Sequence, residues 1–364
     1  MAEVTTDLRR SRFAVPSWGQ IGYVIRRWPV GPIAILAVLI ILGAFAPLFS
    51  PYDPLLIELE ARNTPPFWVE AETESRLVSQ RVDKLAAEDR HKISLRDARK
   101  KGFQDAEVGQ TIEIISQPAG SFAHLFGTAQ TGRDILSRWI FGARVSLQVT
   151  AVSLTSGLVI GVAMGLIAGY ADQIFPRWGK HLDEAIMRIV EITFAVPTIL
   201  VALVIVIVFG KSFIVLLGLL AFVAWNAFPR NVRAEVLSLK TSDYVALAKI
   251  SGASSFRILF VHIFPGVINT VLVIATLRVG QLILIEAILS FLGAGVQPPK
   301  PAWGAMGADG REYLGDAWWI AFFPGMGIFL VVVSLNFLGD WMRDGFYPRL
   351  RQLHLAGIAA GLPA

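Results

Sequence analysis

Two charged residues interrupt an apolar stretch of the sequence, and they are the first candidates for chemistry. Arg278 and Glu286 lie within the apolar run 266–290. An arginine at the centre of a membrane span costs about 2.5–3.5 kcal/mol on insertion scales, so such residues usually face a bundle interior or a water-filled path. One interpretation is that Arg278, Gln281, Glu286 and Glu191 line a path and that Arg278 attracts an acidic group of a transported molecule. The alternative is an internal ion pair of Arg278 with Glu286 or Glu191.

The residue types that usually catalyse reactions do not form a familiar active-site motif in this sequence. The chain contains no cysteine, which excludes thiolate catalysis, disulfides and cysteine-ligated metals. His-Glu-x-x-His, Gly-x-Ser-x-Gly and the Gly-x-x-x-x-Gly-Lys-Ser/Thr phosphate loop are all absent from the sequence. None of the five histidines falls centrally in an apolar run; they are His91, His124, His181, His262 and His354. We therefore predict no catalytic residue, no metal site and no cofactor in this chain, which indicates that it is not an enzyme.

Hydropathy predicts the elements that position these residues. Of the 364 residues, 54% are hydrophobic and 17% charged, whereas soluble domains carry about a quarter charged residues. A transmembrane helix needs about 20 mostly apolar residues. Windows of this kind predict about six spans, at 30–49, 145–169, 192–210, 212–228, 266–290 and 317–339. The predicted fold class is an all-α integral membrane protein.

Lysine and arginine near the span ends predict the orientation. They are concentrated before the first span, between the second and third, between the fourth and fifth, and after the last. By the positive-inside rule both termini are cytoplasmic. The predicted organisation is a cytoplasmic segment 1–29, a first transmembrane helix 30–49, an extracytoplasmic loop 50–144, a five-helix core 145–341 with a cytoplasmic loop 230–265, and a cytoplasmic tail 342–364. Because the basic residues flank spans instead of forming one patch, the net charge of +5 does not indicate nucleic acid.

Two segments outside the spans have readable patterns. In the long loop, Val78, Val82 and Leu85 recur at helical spacing and predict a helix over 70–101, either a cap for a partner or a solvated spacer.

The segment 230–265 is too long for a turn. It predicts a helix over 242–250, a break at Gly252, and a second helix up to His262 that Pro265 ends at the membrane. Such a pair is either a rigid knob that docks on a soluble partner or an ordinary interfacial helix.

Small residues and prolines mark the predicted spans themselves. Gly157, Gly161, Gly165 and Gly169 recur every four residues and predict the close approach of another helix, from this chain or from a partner. Pro197 and Pro324 fall within predicted spans, where we expect kinks that serve gating or packing.

Residues 241–265 resemble the cytoplasmic coupling loop of bacterial ABC importer permeases. Ala248, Gly252 and Pro265 match its Ala-x-x-x-Gly core and distal proline, whereas Ala246 and Leu247 replace the usual Glu and first Ala. Tyr244 and His262 are typical of the peptide-importer branch. The resemblance implies contact with an ATPase for Tyr244, Ala248, Lys249, Gly252, Ala253, His262 and Pro265.

Three further stretches resemble that branch more closely. They are Phe126-Gly127-Thr128 with Gly132-Arg133-Asp134, Glu286–Gly293 with Gln297-Pro298-Pro299, and Trp318-Trp319 with Phe323-Pro324-Gly325. One departure is Ala129, where the family usually has Asp. The chain is thereby identified as resembling the C-type permease subunit of the dipeptide/oligopeptide/nickel ABC importers, over roughly residues 120–350 and the first span. The resemblance implies a type I ABC importer permease fold.

This resemblance also implies partners and cargo. A second homologous permease completes the pore in the lipid of the bacterial inner membrane, two ATPase subunits bind ATP and Mg²⁺, and an extracytoplasmic binding protein delivers substrate. Peptides are the usual cargo of the family, with nickel complexes, opines and sugars as alternatives. A secondary transporter is the competing class, but it requires repeated halves and paired intramembrane acids that the sequence lacks.

Overall fold

The computed structural model describes residues 29–80, 82, 92–100 and 103–346. The predicted cytoplasmic terminal segments therefore lie almost wholly outside the described residues. The described chain is mostly helical. Its helices are α1 (Val30–Ala44), α2 (Ala46–Phe49), α3 (Leu95–Lys100), α4 (Ile135–Ile174), α5 (Gly179–Ala195), α6 (Thr198–Phe209), α7 (Phe213–Ala224), α8 (Ala227–Leu239), α9 (Asp243–Ile250), α10 (Ser255–Arg257), α11 (Phe264–Phe291), α12 (Trp303–Gly310) and α13 (Trp319–Phe346).

Within the described residues, four helices are long and apolar enough to cross a membrane. They are Ile135–Ile174, Phe213–Leu239, Ser255–Phe291 and Trp319–Arg343. α5 and α6 pass the same test only as a pair, and they meet at 87°. With α1, a shorter apolar helix, these elements occupy the positions of the six predicted spans.

Prolines explain where the predicted spans differ from the observed helices. Val196 has an extended backbone and directly precedes Pro197, so the predicted kink is a complete break between α5 and α6. The first predicted span is also divided, because α1 ends before Phe45 and Pro47 lies in the first turn of α2. Pro324, in contrast, remains inside α13.

α4 begins ten residues before the apolar window that predicted it. Asp134 caps its first turn, where its carboxylate accepts a hydrogen bond from the backbone N–H of Ser137 at 2.7 Å. Arg138 and Arg144 lie in the additional turns, and their charges concealed these turns from a hydropathy window. α4 packs against α1, α5, α7 and α8 and is thus the central helix of the bundle.

The described part of the stretch 70–101 does not form the predicted helix. In the described residues, β1 (Glu72–Ser79) lies between β2 (Lys92–Ser94), which is parallel to it, and β3 (Thr111–Gln117), which is antiparallel. Val78 is buried with Ile112 and Ile114 in a small separate core, whereas Leu85 lies outside the described residues. Pairing with a distant strand therefore overrides the local helical spacing, and among the described residues of this stretch only α3 is helical.

Candidate functional site

The predicted coupling segment presents an apolar surface to solvent. α9 exposes 45% of Tyr244, 63% of Leu247 and 84% of Ile250, and Phe256 of α10 is also largely exposed. The three α9 residues recur every three positions, so they share one side of the helix. We call Tyr244, Leu247, Ile250 and Phe256 the docking surface. Adjacent exposed apolar side chains of this kind are typical of surfaces that contact a protein or a membrane.

The opposite side of this segment is fixed to the bundle. Val245 is fully buried in a cluster that includes Ile258 and Ile263. The ammonium group of Lys249 donates to the side-chain oxygen of Gln173 at 2.8 Å, and the hydroxyl of Ser255 donates to the Gln173 backbone carbonyl at 3.3 Å. The docking surface is therefore attached directly to the end of α4.

Two ion pairs extend this attachment to the neighbouring helices. The Lys240 ammonium lies 3.0 Å from a carboxylate oxygen of Asp172, which joins the end of α8 to α4. The Arg233 guanidinium donates two hydrogen bonds to the carboxylate of Asp183, at 2.5 and 2.6 Å, which joins α8 to α5. Because the arginine pair is bidentate, it fixes orientation as well as distance.

Gly252 determines the angle between α9 and α10. Its φ is +80°, in the left-handed region that favours glycine. The N–H of Gly252 bonds to the Lys249 carbonyl at 3.0 Å, and that of Ala253 bonds to the Ala248 carbonyl at 3.1 Å. This pair of bonds is a Schellman motif, which ends a helix and turns the chain in a defined direction.

Pro265 does not end a helix, contrary to the prediction. A single helical path runs from Ser255 to Phe291. It contains a π-helical segment, Ile258–Ile263, which includes the half-buried His262. The N–H of Phe264 bonds to the carbonyl of Leu259, five residues back. The wider π turn directly precedes Pro265, which has no N–H to donate, so the helix passes the proline without a break.

Arg278 is half-buried and has no acid partner. One Nη donates to the Gln281 side-chain oxygen at 2.6 Å, and the other donates to the Val223 carbonyl at 2.5 Å and to the Asn226 side-chain oxygen at 2.6 Å. Neither Glu286 nor any other acid of the described residues pairs with it. The predicted ion pair is therefore wrong, and uncharged oxygens at the junction of α7 and α8 take its place.

The two acids that accompanied Arg278 in the prediction lie in other environments. Glu286 is fully buried, and its carboxyl group accepts hydrogen bonds from the hydroxyls of Ser290 at 2.7 Å and Ser146 at 3.2 Å. Glu286 therefore connects α11 to α4 inside the packed chain. Glu191 lies on the surface of α5 and pairs with Arg188 at 3.2 Å.

The four regularly spaced glycines of α4 lie against α7 and α8 of the same chain. Gly157 and Gly161 face the α7–α8 junction, and a Cβ at Gly165 or Gly169 would lie 2.6 Å from the Cβ of Val232 or Val236. The absence of side chains thus lets α4 approach α7 and α8 closely. This packing also positions the Val223 carbonyl and Asn226 beside Arg278.

Several residues of the site were not identified from the sequence. Gln173 holds the docking segment, and Asp172 and Asp183 hold the helix that precedes it, yet each is an ordinary polar residue near a helix end. Asn226 is a polar residue near the end of the apolar window 212–228, and its presence in that window was the available signal for it. In the described residues, no group of three or more His, Asp or Glu side chains is arranged to hold a metal ion.

Comparison with known proteins agrees with this architecture. A family model described as binding-protein-dependent transport system inner membrane component matches residues 157–352. The dipeptide transport system permease protein DppC of Alkalihalophilus pseudofirmus is 42% identical over 231 residues, which cover 64% of this chain and 74% of that protein. A di/tripeptide transport system permease protein of Pseudomonas aeruginosa is 32% identical over 322 residues, 88% of each chain. A glutathione transport system permease protein of Pectobacterium atrosepticum is 40% identical over 231 residues, which cover 64% of this chain and 74% of that protein.

A solved structure is also similar. The methionine ABC transporter MetNI, in an inward-facing conformation, matches 58% of this chain and 96% of its own with 22% identity and a TM-score of 0.48. The family model alone covers more than half of the chain, and the predicted permease family is thereby confirmed. The chain belongs to the binding-protein-dependent transport system inner membrane components, which are multi-pass membrane permease subunits of ABC transporters.

Proposed function

We propose that this chain forms half of the translocation path of an ATP-driven importer of short peptides. Relatives that match most of their length are dipeptide, di/tripeptide and glutathione permeases, and all three cargoes are peptides. The observation that carries the proposal is the docking surface, an exposed apolar side on a turn that is otherwise fixed to the bundle. A second permease completes the pore, and an extracytoplasmic protein delivers the peptide.

The docking surface receives an ATPase subunit on the cytoplasmic side. Two such subunits bind ATP and Mg²⁺ and hydrolyse ATP, since this chain has no phosphate loop. Tyr244, Leu247 and Ile250 enter a cleft of the ATPase, and Ala248, Lys249, Gly252 and Ala253 maintain the shape of the turn. The orientation follows from the basic residues near the span ends, which place both termini in the cytoplasm.

Transport follows from the rigidity of this attachment. ATP binding brings the two ATPases together and draws the two docking surfaces toward each other. Because Gln173 joins the turn to α4, and Asp172 and Asp183 join the preceding helix α8 to α4 and α5, the displacement moves whole helices instead of bending the turn. The pore then opens to the outside, and hydrolysis reverses the movement, which is alternating access of rigid bodies.

Affinity purification from the native membrane, followed by mass spectrometry, tests the assembly. We expect a second permease, one or two kinds of ATPase and a binding protein. Ligand assay of that binding protein then identifies the cargo, and a nickel complex, an opine or a sugar in place of a peptide would overturn the proposed cargo. Recovery of this chain alone, in a detergent that preserves known importers, would favour a secondary transporter.

A further inference from the structure

Arg278 is a cation without an anion at the middle of a membrane span. It lies halfway along the apolar run 266–290 of α11. No carboxylate of the described residues lies within 4.0 Å of its guanidinium group, and its three acceptors are all uncharged. Glu286 and Glu191 are occupied by other partners. The described residues therefore leave the charge of Arg278 unbalanced where a charge is most costly.

The guanidinium group retains hydrogen-bonding capacity. Arginine has five N–H donors, and three hydrogen bonds to described residues use only part of them. Nε is buried and has no acceptor among the described residues. Gln281 accepts from Arg278 through its oxygen, which leaves its amide N–H groups as donors on an exposed side chain. Arg278 and Gln281 together thus present N–H donors and a positive charge.

The position of this group is fixed by its surroundings. Val223 and Asn226 belong to the α7–α8 junction, which the glycines of α4 hold closely. Asn226 is buried, whereas Gln281 and, one turn further, Leu284 are exposed on the surface of α11. The guanidinium group is therefore anchored from inside the chain and approachable from the exposed side of α11.

We propose that Arg278 and Gln281 bind a carboxylate group of the cargo during its passage. The proposal rests on the proposed importer function and specifies its substrate class as peptides with a free carboxylate. A carboxylate supplies the missing negative charge and accepts charge-assisted hydrogen bonds, which are about twice as strong as neutral ones. A neutral ligand of the same size satisfies the donors but leaves the charge unbalanced.

Charge-selective labelling tests this site without relying on transport. The chain has no cysteine, so Leu284→Cys introduces a single thiol. In the assembled complex, the labelling rates of this chain by an anionic and a cationic methanethiosulfonate reagent are compared with and without Arg278→Gln. One unit charge acting in water across about 9 Å changes the ratio of the two rates about fivefold. We expect Arg278→Gln to lower the anionic-to-cationic ratio by this factor and Arg278→Lys to preserve it.

Protection and uptake complete the test. A free-acid dipeptide, delivered by the binding protein, should slow labelling of Leu284→Cys, and Arg278→Gln should reduce dipeptide uptake about tenfold in complexes that still hydrolyse ATP. An unchanged labelling ratio, or no labelling by either reagent, would overturn the carboxylate site even if uptake is normal. A different outcome would overturn the peptide importer instead. In that case the anionic-to-cationic labelling ratio depends on Arg278, but the unmodified complex takes up no dipeptide.

Discussion

Substitutions of Gly252 distinguish two requirements on the turn between α9 and α10. One is the backbone geometry of the turn, and the other is the space it leaves for an ATPase. The Gly252 φ of +80° is unfavourable for any residue with a Cβ, at a cost of about 1–2 kcal/mol. No atom of the described residues lies within 4 Å of a Cβ built at this position, so the cost within this chain is backbone strain alone. A change of 1–2 kcal/mol lowers the ratio of correctly turned to rearranged segments roughly five- to thirtyfold.

The assay is the number of ATP molecules hydrolysed per peptide imported, measured in proteoliposomes with the complete importer. Asn tolerates the left-handed conformation better than Ala, and β-branched Val tolerates it least. We therefore expect Gly252→Asn to remain close to the unmodified ratio, Gly252→Ala to hydrolyse several more ATP per peptide, and Gly252→Val to be largely uncoupled.

Side-chain volume provides the internal control. Asn is larger than Ala, so a clash between the new side chain and the ATPase would make Gly252→Asn the more harmful of the two. Backbone strain predicts the reverse, that Gly252→Ala is more harmful than Gly252→Asn. If Gly252→Asn were more harmful than Gly252→Ala, or if Gly252→Val coupled normally, the turn geometry would have no role in transmitting ATPase movement.

Three further substitutions test the docking surface, the packing of α4 and the buried acid. Leu247→Asp should reduce recovery of the ATPase with unchanged thermal stability, whereas Val245→Ala should lower stability by about 1–3 kcal/mol because it opens a buried cavity. Gly161→Leu should reduce the yield of folded protein, since the α7–α8 junction fills the space, while Gly218→Leu, with no neighbour within 4 Å, should have no such effect. Glu286→Gln keeps an acceptor for one serine hydroxyl and offers an N–H donor to the other serine oxygen, so it should preserve uptake; Glu286→Leu removes both hydrogen bonds and should lower thermal stability.

The sequence predicted those parts of the fold that depend on local composition. Apolar windows located the bundle helices, and the capping and glycine signals located α9 and the break at Gly252. These signals are readable because lipid imposes a long apolar run and because a left-handed turn restricts the residue type. The four-residue glycine period likewise indicated a close helix contact, although not which helix provides it.

The remaining features depend on contacts between distant residues. β1 forms because β3, more than thirty residues later, supplies its hydrogen-bonding partner. Pro265 lies inside a helix because the wider π turn before it accommodates a residue that has no N–H to donate. Glu286 and Arg278 are eight residues apart, yet α4 surrounds one and the α7–α8 junction binds the other. Periodicity within one segment contains none of this information.

The helix that carries Arg278 also begins at the docking surface. Ser255–Phe291 is one continuous helical path, and Arg278 lies roughly 35 Å along it from Ser255 at 1.5 Å per residue. Two of the acceptors of Arg278 belong to α7–α8, which ion pairs hold to α4 and α5, and only Gln281 belongs to α11 itself. A shift of α11 along α7–α8 therefore separates Arg278 from Val223 and Asn226 and frees donors for another anion. The π segment near Phe264 determines how much of a displacement at Phe256 reaches Arg278, because its wider turn is the one irregular part of the path. The proposed ATPase movement and the proposed carboxylate binding would thus be coupled through a single helix, without a separate chain of contacts between them.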